Sequence, residues 1–98
     1  MLNKIILIGR LVADPDLRHT QSGLPVVNFS IAVNRRFKNA NGEQETDFIN
    51  IVGWRKTAEF VGEYIKKGYL VAVEGMLQMR RYQSKEGENR VAYEVVAA

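Results

Sequence analysis

Residues 46–54 read TDFINIVGW, and the division of these side chains between two faces decides the fold. Consecutive side chains of a β-strand point to opposite faces, so Phe48 and Trp54, six positions apart, share one face. Ile49 and Ile51 lie on the other face. Both faces therefore carry large apolar groups, and a half-buried strand must commit one of the two sets to the core. The alternation predicts a strand but does not say which face is buried.

The preceding segment offers a partner strand with a clear apolar face. Residues 25–36 alternate cleanly, and the apolar set is Val27, Phe29, Ile31 and Val33. The two segments are joined through NANG at residues 39–42. This is a hairpin signal, because Asn and Gly tolerate the positive φ that tight turns require. We therefore expect the two segments to form an antiparallel pair.

The register of that pair has two solutions. A strict two-residue turn at Asn41-Gly42 pairs Phe29 with Trp54 and packs the aromatics of TDFINIVGW against the core. A bulge or a longer loop slips the register and turns Phe48 and Trp54 to the other face, beside Ser30, Ala32 and Asn34. We favour the slipped register, since it gives the core Ile49 and Ile51 and leaves a groove of small residues beside exposed rings.

The remaining segments complete an all-β pattern. Residues 2–12, 69–81 and 90–97 are predicted strands, and residues 56–67 are the single predicted helix, which Gly68 ends. The order is three strands, a helix and two strands, which is the order of a five-stranded OB-fold barrel with a helix between strands three and four. The pattern alone leaves an SH3-like barrel or an open α+β sheet as alternatives. Residues 1–98 contain no repeat or linker and are predicted to form one domain.

Composition argues against several classes of protein. There is no cysteine, so there is neither a disulfide framework nor a thiolate metal site, which fits a reducing, cytoplasmic setting. His19 is the single histidine, and the acidic residues show no spacing typical of an acid–base pair. The glycines form no phosphate-binding loop. No apolar run approaches the ~20 residues that span a membrane. We predict a protein that is not an enzyme, has no metal or cofactor and does not associate with membranes.

The distinctive signal is aromatic residues beside basic ones. Phe37 lies within RRFKN, Phe48 and Trp54 bracket a strand that ends in Arg55-Lys56, and Tyr82 follows Arg80-Arg81. Flat rings stack on unpaired bases and cations neutralise phosphates, which is the combination that binds single strands without sequence preference. For each ring taken alone, packing in the core is the alternative. The net charge of +3 is too small to distinguish a polyanion site from an ordinary solvated surface.

Three stretches carry a family resemblance. They are residues 2–37, which open with LNKIILIGRL and contain a DP turn, residues 45–68, ETDFINIVGWRKTAEFVGEYIKKG, and residues 69–96, which contain EGMLQMRRY. Together they resemble, nearly end to end, the bacterial-type single-stranded DNA-binding proteins (SSB). The resemblance implies an OB-fold domain that binds and protects single-stranded DNA in replication, recombination and repair. An OB-fold module for protein interaction, or a primosomal accessory module, is the alternative function.

The resemblance also implies site residues. The stacking positions of the family fall on Phe37, Phe48, Trp54 and Tyr82. Its phosphate-contacting positions match Lys56, Lys67, Arg80 and Arg81. Local charge adds Arg35, Arg36, Lys38, Arg55 and Lys85, with Arg10 and Arg18 as further contributors.

Assembly and partners are expectations of the same kind. The N-terminal strand is apolar on both parities, more than one small barrel needs, which indicates an oligomer interface at Leu2, Lys4, Ile6 and Ile8. The resemblance implies a homotetramer, while a dimer is the alternative. The family usually continues into a flexible linker and an acidic tail that recruits replication and repair proteins, whereas this sequence ends at VVAA. Such partners are therefore expected only if a tail is missing from this chain. The expected location is the nucleoid-associated cytoplasm.

Overall fold

A computed structural model describes all 98 residues and contains six β-strands and one α-helix. In chain order they are β1 (Ile5–Leu11), β2 (Asp16–His19), β3 (Pro25–Asn34), β4 (Thr46–Trp54), α1 (Lys56–Tyr64), β5 (Leu70–Gln83) and β6 (Asn89–Ala97). The helix has nine residues, so no helix of this protein is long and apolar enough to cross a membrane.

Five of the strands close into a ring. The hydrogen-bonded order is β1-β5-β6-β4-β3, and β1 returns to β3 through the pairs Arg10–Ala32 and Leu11–Ile31. All of these pairings are antiparallel except β4 with β6, which run parallel. The helix follows β4, the third strand of the ring in chain order, and precedes β5. The predicted five-stranded OB-fold with one helix between its third and fourth strands is confirmed.

Several element boundaries differ from the prediction. The short strand β2 lies outside the ring on the free edge of β3, where all four of its residues are exposed. The helix ends at Tyr64 rather than at residue 67, because Ile65 is already extended, with φ −102° and ψ 134°. Gly68 then turns the chain with φ 86° and donates its backbone N–H to the Leu11 carbonyl at 2.9 Å, which brings the chain to the end of β1.

The core fills the ring with aliphatic side chains from the odd-numbered positions of β3 and β4. Val27, Ile31 and Ile51 are fully buried, together with Val95 of β6. Helix α1 covers one end of this core with Ala58 and Val61. Gly62, on the neighbouring side of α1, lies so close to Leu17 that an added Cβ would meet its side chain at 2.8 Å.

Beyond the ring, β5 and β6 continue as a two-stranded arm. Strand β1 pairs with β5 only over residues 70–75, and β4 pairs with β6 only at Val95 and Val96. Residues 78–83 and 89–94 therefore pair with each other alone, and we call this segment the arm. The ring-to-arm junction is Gly75, where an added Cβ would lie 2.1 Å from the Val96 carbonyl oxygen. Only glycine lets β5 approach β6 this closely while it also pairs with β1.

Candidate nucleic-acid interface

The pairing of β3 with β4 settles which face of TDFINIVGW is buried. Ile51 pairs with Phe29 and Ile49 with Ile31, whereas Phe48 lies opposite Ala32. Directly opposed residues of a sheet share a face, so the slipped register is confirmed. Ile51 is fully buried in the core and Ile49 packs against it.

The β3–β4 loop produces this slip. The Gly42 N–H donates to the Asn39 carbonyl at 3.0 Å, and the Asn39 N–H donates to Glu43 at 2.9 Å, so the turn is centred one residue earlier than Asn41-Gly42. Between that turn and the Arg35–Glu45 backbone bond lie three residues on the β3 side, 36–38, and only residue 44 on the other. The shifted turn offsets the pairing by one residue and the unequal count adds two more. The total offset of three residues is odd, so every side chain of β4 lies on the opposite face from a strict hairpin.

Phe48 and Trp54 are exposed on the outer face of the sheet, with 70% and 40% of their surfaces accessible. Six residues of extended strand separate them by roughly 20 Å, which is too far for both rings to contact a single base. Between them Ser30 lies opposite Asn50 and donates a 3.2 Å hydrogen bond to its side-chain oxygen. Val52, on the same face, is 5% exposed and gives the groove floor a packed centre.

The arm continues this outer face. Val52 pairs with Val96 and Val96 with Met76, so the even-numbered residues of β5, including Arg80 and Tyr82, share the face of Phe48 and Trp54. Tyr82 is 41% exposed, and the Arg80 guanidinium lies 5.2 Å from its ring centroid, a cation–π distance. Arg81 points to the opposite face of the arm.

The fourth predicted ring lies in the β3–β4 loop. Phe37 is 79% exposed, and the Arg36 guanidinium lies 5.8 Å from its centroid. Core packing is thus excluded as the role of Phe37, Phe48, Trp54 and Tyr82 within this single chain.

Among the residues predicted to contact phosphate, Arg35 makes the most hydrogen bonds to carboxylates of the protein itself. Its Nε and Nη2 donate to the two Asp47 carboxylate oxygens at 3.1 Å, and its Nη1 donates to Glu45 at 2.7 Å. The hydrogen bond and charge of Arg35 lower the pKa of Asp47, and the same bond raises the pKa of Arg35. Arg35 therefore fastens the base of the hairpin, on the side of the sheet opposite to Phe48.

Three other predicted cations also have partners. Arg18 pairs with Asp16 at 3.0 Å, the Arg80 guanidinium lies 3.6 Å from Glu94, and Arg10 donates to the Gly68 carbonyl at 3.2 Å. The predicted cations whose side chains form neither an ion pair nor a hydrogen bond are Arg36, Lys38, Arg55, Lys56, Lys67, Arg81 and Lys85. Their charges are free to meet a polyanion without breaking a contact inside the protein.

Arg55 combines a free cation with an unusual backbone. Its φ of 58° and ψ of −125° make it the single non-glycine residue with positive φ. The residue joins β4 to α1, donates its N–H to the Pro25 carbonyl at 3.0 Å and accepts the Glu59 N–H at 3.1 Å. Strained residues of this kind concentrate at functional sites, and this one holds its side chain next to Trp54.

Comparison with known proteins supplies the family. The model of the single-strand binding protein family matches residues 2–98. The chain belongs to this family. A single-stranded DNA-binding protein 1 of Staphylococcus aureus (strain MSSA476) is 56% identical over 97 residues, 99% of this chain and 62% of the relative. The single-stranded DNA-binding protein of Bacillus cereus is 53% identical, and the match covers 99% of this chain and 57% of the relative. Single-stranded DNA-binding protein 2 of Listeria monocytogenes is 50% identical, and the match covers 99% of this chain and 61% of the relative. The chain thus spans about three fifths of the length of these relatives.

For this family member, sequence reasoning missed Arg90 as an outer-face residue, whereas the slipped register had already placed Ser30 beside the exposed rings. Arg90 lies directly opposite Tyr82 on the arm and pairs with Glu88 at 3.1 Å. Ser30 and Asn50 form the polar floor between Phe48 and Trp54. Alternation places Arg90 on an even position of β6, but its position opposite Tyr82 requires the β5–β6 register, which is a long-range property.

The residues predicted at an oligomer interface of this family member lie together on the outside of β1. Ile6 and Ile8 are 66% and 62% exposed, although both are aliphatic residues within a strand. Leu2 precedes them and is almost fully exposed, while Lys4 pairs with Glu74 at 2.7 Å. Leu70 of β5, which pairs with Arg10 next to Ile8, extends the apolar surface.

Proposed function

We propose that this chain binds single-stranded DNA without sequence preference and does not catalyse a reaction. The observation that carries the proposal is the common outer face on which Phe48, Trp54 and Tyr82 are all exposed. Three exposed aromatic residues on two strands of one sheet are costly in water, and stacking on bases gives them a physical role. The membership in the single-strand binding protein family supports the same conclusion.

In this proposal stacking and charge have separate tasks. Bases stack on Phe37, Phe48, Trp54 and Tyr82, each contributing roughly 1–3 kcal/mol. Phosphates are neutralised by the cations that are free of ion pairs, above all Arg36, Lys38, Arg55, Lys56, Lys67, Arg81 and Lys85. Arg10, Arg18 and Arg80 contribute where they can exchange a protein partner for phosphate. We leave Arg35 out of the set, because two carboxylates already hold its guanidinium.

The proposed binding requires no metal or cofactor, since stacking and phosphate neutralisation are both complete without one. No three His, Asp or Glu side chains of this protein converge as metal ligands. The biological task we propose is to cover and protect strands exposed during replication, recombination and repair.

Self-association is part of the proposal. The apolar outer surface of β1, with Leu2, Ile6 and Ile8, is supported as an interface by its exposure in the single chain, and Lys4 lies at its side. Residues 5–9 of β1 pair only with β5, so their other edge is open to a strand of a second copy. We propose a homo-oligomer, with a tetramer as the expected state.

The experiment that tests the proposed function uses the single tryptophan. Titration with oligo-dT at low salt is expected to quench Trp54 fluorescence, and the affinity is expected to fall as salt rises because phosphate binding releases counterions. A duplex of equal length is the control and is expected to bind much more weakly. Folded protein that shows no quenching at low salt, or equal affinity for the duplex, would contradict the proposal.

A further inference from the structure

An apolar hollow of about 470 Å³ lies between α1 and β5. Its walls include Phe29, Phe60, Val61, Ile65, Val71 and Val73. The volume is within the range of pockets that hold small organic groups, and the walls offer the apolar surface that a flat ring prefers. Of the residues that line the hollow, only Lys56 matches a position to which the family resemblance gave a role.

Two exposed aromatic rings of α1 lie at this side of the barrel. Phe60 and Tyr64 are one helical turn apart, their centroids are separated by 5.3 Å and their planes are tilted by 48°. They are 55% and 57% exposed, so the pair shields neither ring from water. Adjacent exposed rings on a short helix form an apolar patch, and contiguous apolar patches mark binding surfaces.

The hollow adjoins the proposed DNA-binding face. A shallower depression beside Trp54 is lined by Pro25, Arg55 and Glu59 and shares Lys56 and Thr57 with the apolar hollow. A strand stacked on Trp54 that continues in this direction therefore passes Lys56 and then reaches Phe60. The two hollows form one continuous surface across the first turn of α1.

The charges along this surface suit a phosphate backbone. Lys56 forms no ion pair, and Glu74, the carboxylate that lines the apolar hollow, is neutralised by Lys4 at 2.7 Å. Helical periodicity places Lys56, Phe60 and Tyr64 in one stripe and Glu59 and Glu63 in the next. This stripe, of which Lys56 and Phe60 line the hollow, is thus cationic at one end and aromatic along the rest.

We propose that a base beyond the one on Trp54 stacks on the Phe60–Tyr64 pair at the mouth of this hollow, with Lys56 neutralising the phosphate between them. This inference rests on the proposed function and adds a binding subsite to it. The ligand proposed for the hollow is a nucleobase of the same single strand that stacks on Trp54.

The test compares Phe60→Leu with wild type over a series of oligo-dT lengths. Leucine keeps the apolar contact but removes the flat ring. Short oligonucleotides that just quench Trp54 are expected to bind both proteins equally, whereas longer ones are expected to bind Phe60→Leu roughly 5- to 100-fold more weakly. Tyr69→Leu is the matched control, because Tyr69 is 50% exposed but lines neither hollow, and it is expected to bind as wild type does at every length.

The outcomes separate this inference from the function on which it rests. If oligo-dT quenches Trp54 but wild type and Phe60→Leu bind with equal affinity at every length, the subsite alone is overturned. Absence of quenching in wild type contradicts the proposed function and the subsite with it. If the assembly formed by Phe60→Leu without DNA has a lower mass than that of wild type, this face is a contact between copies of the chain. That result also overturns the subsite.

Discussion

Trp54 shows how a single residue divides stacking from charge in the proposed interface. The ring is 40% exposed, and Arg55 and Lys56 follow it directly in the sequence. A base stacked on the ring therefore has two cations available for the neighbouring phosphates. Stacking is insensitive to salt, whereas each phosphate contact releases counterions. The two contributions therefore respond differently to ionic strength, and substitutions can measure them separately.

We expect Trp54→Ala to weaken binding of oligo-dT by about 1–3 kcal/mol while leaving the salt dependence nearly unchanged, because a ring carries no charge. Lys38→Ala is the matched variant: Lys38 forms no ion pair, and its loss is expected to reduce the slope of log K against log [salt] by about 0.7. Titrations by anisotropy at four salt concentrations measure both. Equal slopes for the two variants would show that the roles are assigned wrongly.

Arg55 shows a conflict between stability and binding at one residue. With φ at 58°, an arginine is strained where glycine is not. We expect Arg55→Gly to raise the free energy of unfolding by roughly 1 kcal/mol and, at the same time, to weaken binding of single-stranded DNA. Urea unfolding and oligo-dT titration measure the two effects.

The control for this variant is Arg36→Gly. Arg36 is also a free cation, but its φ is not positive, so its replacement is expected to weaken binding without a gain in stability. If Arg55→Gly is less stable than wild type, the arginine backbone is not strained in the folded protein.

At the scale of elements, the two faces of the β3–β4 hairpin carry different kinds of side chain. The outer face holds Phe48 and the polar floor, while the other face of the hairpin base holds the Arg35–Asp47 pair. That pair joins the residue after β3 to the second residue of β4, next to the loop that sets the register. It therefore stabilises the arrangement that leaves Phe48 accessible.

The lowered pKa of Asp47 predicts a pH dependence of this element. A carboxyl whose folded pKa lies below its ordinary value of 3.8 contributes stability that is complete above that value and is lost as the pH falls through the folded pKa. We expect Asp47→Asn to be less stable than wild type at about pH 7 and the difference to shrink steadily below about pH 4. Urea unfolding at a series of pH values measures this difference.

Glu43→Gln, in the adjoining β3–β4 loop and without an ion pair, serves as the control and is expected to follow the wild-type curve. A difference between Asp47→Asn and wild type that stays constant from neutral to acidic pH would contradict the role of the charge.

At the scale of the whole molecule, the closed ring leaves two exposed surfaces with different kinds of side chain. The outer face of β4 and the arm carries the aromatic residues of the proposed interface, and the outer face of β1 carries aliphatic ones. Aliphatic side chains offer no π-face to a base, so the β1 surface is suited to another copy of the chain rather than to DNA.

The double variant Ile6→Asp, Ile8→Asp tests that surface. Both side chains are more than half exposed in the single chain, so aspartate costs the isolated fold little, whereas it buries charge in any interface. We expect light scattering to give the mass of a smaller species than wild type. Val91→Asp on the arm, where the side chain is 48% exposed, is the control and is expected to keep the wild-type mass. An unchanged mass of the double variant would place the interface elsewhere.

Local patterns predicted the elements and much of the candidate site. Alternation identified residues 46–54 with both boundaries correct, and the helix began at Lys56 as expected. These are properties of neighbouring residues, because the side-chain periods of strands and helices repeat within a few positions. The same reasoning gave Phe48 and Trp54 one common face but left open whether that face was wet.

The tertiary structure decided everything that depends on pairing between distant residues. One extra residue in a loop reverses both faces of a strand, so the exposure of Phe48 and Trp54 followed from the β3–β4 register. The same holds for Arg35, a free cation in the sequence but bound to Asp47 and Glu45 in the fold, and for Tyr82, which shares the outer face only through β6. Sequence by itself determined which segments form strands and which rings and charges are available. Only the closed sheet determined which of these rings and charges lie on the same face. The physical reason is that closure of the ring buries one face of each strand and leaves the other exposed.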